Sequence, residues 1–270
     1  MIDVVVDRVD AVLDAASEVA ATLGGASPSP LGGDLDPWRV LLDGDDRAAI
    51  SARRFPSDRR RTLAGRLVLR SLLLDRLGRS WRDLPDLLVC RSCDSCGAAH
   101  GRPRYPSMSL SSASSDGWVA AAVGAEQASV GIDIEVDRES TWSGFDGAAL
   151  HPVEREHFRR HGSAARPRLQ RWADKEAVLK AAGVGLRVDP AALRIAEHSG
   201  TRAALRCAPV REAAGSTLDW RRVVVSPTSV AEGFSVAAIT AAPGRGGAVA
   251  SIASTSPDDV RLRRFAGLDL

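Results

Sequence analysis

Between Val130 and Asp137 the chain alternates strictly. Val130, Ile132, Ile134 and Val136 are aliphatic, while Asp133, Glu135 and Asp137 are acidic. Side chains alternate across a strand, so this pattern specifies a strand with one apolar face and one row of carboxylates. Carboxylates held this close repel one another unless something neutralises them. Two readings follow. The row is either a solvated face on a half-buried strand, or a seat for a hard divalent cation. Magnesium takes one or two carboxylates together with water and phosphate oxygens.

The second feature is a scarcity. Lys175 and Lys180 are the only lysines among 36 Lys plus Arg, and they bracket a glutamate in Trp172-Ala-Asp-Lys-Glu-Ala-Val-Leu-Lys180. Arginine stays charged and binds as a flat fork, whereas lysine is a compact charge that loses its proton when buried. Glu176 and Lys180 are four apart and share a helix face, with Trp172 one turn earlier on the same side. The bland reading is a surface ion pair of the kind many helices carry. The sharper one is chemistry on an anionic oxygen.

Bulk properties bound the rest. At 270 residues, with 44% hydrophobic and 26% charged side chains, the chain has the make-up of a soluble globular protein with a real core. A net charge of +2 does not suggest a general nucleic-acid or membrane-surface binder. Asp3 and Asp7 interrupt the N-terminus, which does not read as a secretion signal, and no apolar run approaches the length of a membrane helix. The expected location is the cytoplasm.

Along the chain, Val5, Val9, Val12 and Leu13 are spaced for one face of a helix over residues 2–23. Gly24 to Gly33 then breaks regular structure, so residues 1–33 read as an extension outside the main fold. Arg61 to Leu77 is strongly helical, and Cys90 to Pro106 reads as loop. Strands are expected over 118–123 and 129–136, joined as a hairpin, with helices over 152–161 and 168–182, the latter ending at Gly183. Later strands are expected over 193–196, 203–207, 222–225 and 234–240, and the Gly-, Ala- and Ser-rich tail from Pro243 reads as mobile. This divides the chain into an extension (1–33), an N-terminal half (34–124), a C-terminal half (125–242) and a tail (243–270).

Taken together, Gly131-Ile-Asp-Ile-Glu135 and Trp172-Ala-Asp-Lys-Glu-Ala-Val-Leu-Lys-Ala-Ala-Gly-Val-Gly-Leu186 closely resemble the paired signature of Sfp-type 4′-phosphopantetheinyl transferases. Other stretches are similar to the family's in the expected order. These are Arg53-Arg-Phe55 with Arg61-Thr-Leu-Ala-Gly65, Gly101-Arg-Pro103, and His151-Pro-x-Glu154. The resemblance spans roughly residues 47–240.

It implies an α+β fold of two similar halves related by a pseudo-twofold, with coenzyme A in the cleft between them. It also implies transfer of the phosphopantetheine arm to a serine of an apo acyl-, polyketide- or peptidyl-carrier domain, with release of adenosine 3′,5′-bisphosphate. By the same resemblance, Asp133, Glu135 and Glu176 hold magnesium, and Asp133 also lies against the cofactor. Lys180 touches the reacting phosphate and Lys175 a neighbouring one. Either Glu176 or Lys180 takes the serine proton. Arg53, Arg54, Arg61, Arg102 and Pro103 bind coenzyme A, and the protein acts as a monomer.

One departure stands out. Relatives often carry a histidine before the strand at Trp118 that meets the 3′-phosphate of coenzyme A. Here the stretch is Ser109-Leu-Ser-Ser-Ala-Ser-Ser-Asp116, so Ser112 or Ser114 takes that place and weaker 3′-phosphate recognition is expected. Separately, Cys90, Cys93, Cys96 and His100 have spacings compatible with a small zinc site. Two other classes stay open: a non-catalytic coenzyme A- or nucleotide-binding homologue, and a zinc-loop interaction protein.

Overall fold

The computed structural model describes residues 1–24, 36–93, 96–99, 101–162, 164–196, 201–207, 217–225, 233–240, 247–256 and 259–268. The first half of the chain gives β1 (Ile2–Arg8), α1 (Val9–Thr22), α2 (Gly44–Ser51), α3 (Pro56–Leu77), β2 (Cys90–Arg91), β3 (Pro103–Tyr105), β4 (Met108–Ser115) and β5 (Trp118–Ala125). The second half gives β6 (Gly131–Val136), α4 (Phe145–Ala149), α5 (Pro152–His161), α6 (Ala165–Ala182), β7 (Arg194–Ile195), β8 (Thr201–Cys207), β9 (Thr217–Val225), β10 (Ser235–Thr240), β11 (Ala248–Ser254) and β12 (Val260–Arg263). It is a mixed α+β chain.

Among the described residues the strands follow the order β2-β3-β4-β5-β1-β12-β8-β9-β10-β11-β6, with β7 against β9. Strands β5 and β1, from the middle of this path, face β11 and β6 at its end. Ile2, Val4 and Val6 of β1 and Ala120 and Ala122 of β5 pack against Ile132 and Ile134 of β6 and Ala250 and Ile252 of β11. Helices α1 and α3 cover the outer side of β1 and β5 through Val12, Leu13, Leu67 and Val68. Helix α6 covers the outer side of β10 and β11 through Ala177, Val178 and Ala181. A fully buried leucine or valine in such layers contributes about 1.5–3 kcal/mol.

Three sequence expectations are corrected here. Residues 2–8 are not helical and do not lie outside the fold: β1 pairs antiparallel with β5 and parallel with β12. Val5 enters the core beneath the helices, while Ile2, Val4 and Val6 enter the core shared with β6 and β11. Both faces are covered, so the run is continuously apolar like that of any doubly buried strand. The buried Asp3 is matched by Arg76 at 2.6 Å and by Arg261.

The tail from Pro243 is not uniformly loose either. Strand β11 is buried at every residue and pairs with both β10 and β6. Its small side chains let α6 lie close. Finally, β5 and β6 are not a hairpin, because β6 pairs with β11 instead. The short connection 126–130 carries the chain from β5, inside the sheet path, to β6 at its end.

Candidate active site

Strand β6 and helix α6 touch along the motif glycine. A Cβ on Gly131 would lie 2.1 Å from the Ala177 carbonyl oxygen and 2.4 Å from the Ala181 nitrogen, so only glycine permits this approach. The contact sets the side chains of Asp133 and Glu135 against the face of α6 that carries Trp172, Glu176 and Lys180. Lys180 Nζ lies 2.5 Å from Asp133 Oδ1 and 3.8 Å from Glu176 Oε2. Glu135 is fixed by two donors: Trp172 Nε1 donates to its Oε1 at 3.0 Å, and Ser115 Oγ to its Oε2 at 3.0 Å.

The acids are crowded and poorly solvated. Burial pushes the Asp133 carboxyl up against the opposing pull of Lys180. Burial and then the Asp133 charge raise Glu135. Burial raises Glu176 to about 7; Lys180 opposes this, and Asp133 and Glu135 add to it. For Lys180 burial acts downward, but Asp133 and Glu176 outweigh it and hold the ammonium above its ordinary range.

Asp133 Oδ2 is buried and accepts no hydrogen bond, leaving one lone-pair site without a partner beside three mutually repelling carboxyls. Such a donor set suits a hard divalent ion such as magnesium. The acids are not a ready cage: among the described residues no three His, Cys, Asp or Glu side chains are gathered for a metal, and the Lys180 ammonium stands between Asp133 and Glu176.

Lys180 keeps 30% of its side chain exposed and opens onto a cleft of 680 Å³. Its walls include Arg91, Arg102, Pro103, Ser112 and Gly183. Gly183 ends α6 in the left-handed conformation with φ 73°. Arg102 reaches that end, donating to the Ala181 carbonyl at 3.2 Å and to Ser109 Oγ at 3.2 Å. Strand β4 anchors the free edge of β6 through alternate hydroxyls: Ser109, Ser111 and Ser115 accept the amides of Val130, Ile132 and Val136. Ala113 breaks the series, and there the Ile134 amide helps to offset the rise in the Asp133 pKa.

Asp133, Glu135, Glu176 and Lys180 are therefore brought together, and Lys180, Arg102, Pro103 and Ser112 share the cleft. Other expected residues are elsewhere. Lys175 is fully buried, with Nζ 2.6 Å from Glu154 Oε2 and 2.7 Å from the Ala149 carbonyl, so it does not reach the cleft. The same contact accounts for the His151-to-Glu154 motif, since Glu154 also closes a capping box with His151. Arg53 and Arg54 are exposed beside the start of α3, Arg61 pairs with Asp58 at 2.5 Å, and Ser114 is exposed. None of the four lines the cleft.

The zinc expectation finds no support. Cys90 is exposed on β2, Cys93 and Cys96 form no metal group among the described residues, and His100 lies outside those residues. Sequence reasoning missed Ser115 and the cleft residues Arg91 and Arg187. Arg91 stands alone between Arg82 and Arg102, inside a cysteine-rich stretch whose spacing pointed to metal rather than to anions.

Residues 129–239 match the family model described as the 4′-phosphopantetheinyl transferase superfamily. That segment resembles the superfamily's domain. The superfamily segment includes Asp133, Glu135, Glu176 and Lys180, whereas Arg91, Arg102 and Ser112 precede it. No curated protein matches the chain significantly. No helix among the described residues is long and apolar enough to cross a membrane.

Proposed function

We propose that the protein transfers the 4′-phosphopantetheine arm of coenzyme A to a serine of an apo carrier protein, as Sfp-type enzymes do, and works as a monomer. The observation that carries this reading is the position of Lys180 between Asp133 and Glu176, with Glu135 held on the same strand as Asp133, at one wall of the cleft. Coenzyme A lies in that cleft. One wall comes from the segment 34–124 through Arg91, Arg102 and Ser112, and the other from 125–242 through Lys180 and Gly183. In this reading α3 and α6, each with the strands it covers, β1 and β11 included, centre two similar halves related by a pseudo-twofold.

Asp133, Glu135 and Glu176 would hold magnesium, which supplies positive charge to neutralise pyrophosphate oxygens. Lys180, held protonated by its acids, donates to the phosphate whose charge grows as the bond to the leaving group breaks. The serine Oγ bonds to the β-phosphorus, the bond from that phosphorus to the oxygen of adenosine 3′,5′-bisphosphate breaks, and the serine proton passes to Glu176. Lys180, whose ammonium Asp133 and Glu176 hold above its ordinary range, suits the donor's role rather than the base's. Trp172 and Ser115 keep Glu135 from swinging away.

The test is to incubate the protein with coenzyme A, magnesium and an apo carrier domain and to weigh the carrier. A mass gain equal to the phosphopantetheine arm is expected. Glu176→Gln and Asp133→Ala should each lower transfer by about 10²-fold or more while the protein stays folded by circular dichroism. Full activity in both variants would remove the assignment. A panel of acyl-, polyketide- and peptidyl-carrier domains then identifies the acceptor.

A further inference from the structure

A second charge centre lies behind Arg91, a residue of the cleft wall. Arg66 pairs with Asp46 at 3.3 Å, and Arg70 pairs with Asp46 at 2.5 Å and with Asp43. These two guanidiniums use both nearby carboxylates. Arg91 adds a third positive charge beside them and lines the cleft. It forms no ion pair among the described residues. Its Nη1 donates to the Gly101 carbonyl at 3.2 Å, while its Nε is buried with no partner. Burial, and then Arg66, push its guanidinium below the ordinary arginine range, with Asp46 opposing and Arg70 adding. Guanidiniums gathered in excess of carboxylates are stable together only when an anion completes the set.

Coenzyme A carries its negative charge in two places, the pyrophosphate and the phosphomonoester on its ribose. Lys180 answers to Asp133, Glu176 and Glu135, whereas Arg91 answers to Arg66, Asp46 and Arg70, so the two cations belong to separate electrostatic neighbourhoods within one cleft. We propose that Arg91 is a specificity-determining residue that receives the 3′-phosphate of coenzyme A, an inference that rests on the transferase reading above. Arginine suits this role because its fork offers parallel donors to a phosphate's oxygens. The charge that a histidine brings in relatives is supplied here from β2, and recognition of the 3′-phosphate is retained rather than weakened.

The experiment measures binding, independently of turnover. Coenzyme A and 3′-dephospho-coenzyme A are titrated by calorimetry into the wild-type protein, Arg91→Ala and Arg91→Lys, each checked by thermal melting. The wild type should favour coenzyme A by roughly tenfold or more, the scale of one charged hydrogen-bonded contact. Arg91→Ala should bring the two ligands within about threefold by weakening coenzyme A alone, and Arg91→Lys should restore part of the preference. Arg91→Ala relieves repulsion by removing one of several like charges, and Arg91→Lys keeps the charge on a similar flexible stem, so both variants are expected to fold.

Equal weakening of both ligands in Arg91→Ala, or no preference in the wild type, overturns the assignment. Binding without carrier modification would defeat the transferase reading and leave the preference ratio to decide Arg91. Binding of neither ligand would defeat both.

Discussion

Lys175 and Lys180 sit on one helix, five residues and so about 140° apart around its axis. That angle decides their fates. Lys180 looks into the cleft, while Lys175 is driven inward against Glu154, where burial lowers its affinity for a proton and Glu154 raises it. Removing one partner of a buried pair strands the other. Lys175→Met should therefore cost about 3 kcal/mol or more by denaturant unfolding, while the dissociation constant for coenzyme A stays within about twofold of wild type. Lost affinity without lost stability would return Lys175 to the phosphate site. Glu176 makes the opposite kind of prediction. Its carboxyl titrates at about 7 when folded, above the ordinary 4.5. A raised acid holds its proton more tightly in the native state. The metal-free protein therefore has this contribution in full below about pH 4.5 and loses it as pH rises through about 7. A divalent ion needs the carboxylate and competes with that proton. Magnesium should raise the melting temperature clearly more at pH 8 than at pH 5.5, and equal shifts at both would argue against Glu176 as a ligand.

Strand β6 was legible from its period alone, and α6 from its motif and its terminal Gly183. What the period could not show is why position 131 is glycine, because the reason lies on another element. Gly131→Ala places a methyl group within 2.1 Å of the Ala177 carbonyl oxygen, which is helix backbone and cannot swing aside. Either α6 backs away or β6 bends. We expect a loss of about 3 kcal/mol or more in unfolding free energy and a fall in transfer disproportionate to the remaining folded fraction, since Lys180 and Glu176 move with α6. A melting temperature within a degree or two of wild type would refute the close approach. Strand β4 is the complementary case. Its serines read as a substitute for a missing histidine, yet Ser109, Ser111 and Ser115 are spent on the amides of β6, and Ser112 is left for the cleft. Serine composition is visible in sequence. Which backbone its hydroxyls satisfy is a tertiary fact.

The errors at both chain ends share one cause, which is that long-range pairing leaves no local mark. Strand β1 runs directly into the true helix α1, so Val5 falls into step with Val9, Val12 and Leu13 and the strand reads as the helix's first turns. The small residues of β11 imitate a flexible tail, although they are small because α6 presses on one face and the inter-sheet core on the other. The consequence is that the acidic strand β6 depends on the far end of the chain. In the β11–β6 ladder, Ser251 stands opposite Asp133 and Val249 opposite Glu135. Ser251 also bonds Asp174 at 2.7 Å, beneath the helix that carries Glu176. A chain ending at residue 242 lacks both β11 and β12. Strand β6 then keeps only the three serine hydroxyls on one edge and has none of its sheet partner on the other, while β1 loses its parallel neighbour. Unsatisfied strand amides in a core cannot be tolerated. This truncation should abolish cooperative unfolding by circular dichroism and eliminate binding of coenzyme A, even though every residue of the transferase signature is present. A truncated protein that melts cooperatively and still modifies a carrier would mean that β6 is held by something other than β11.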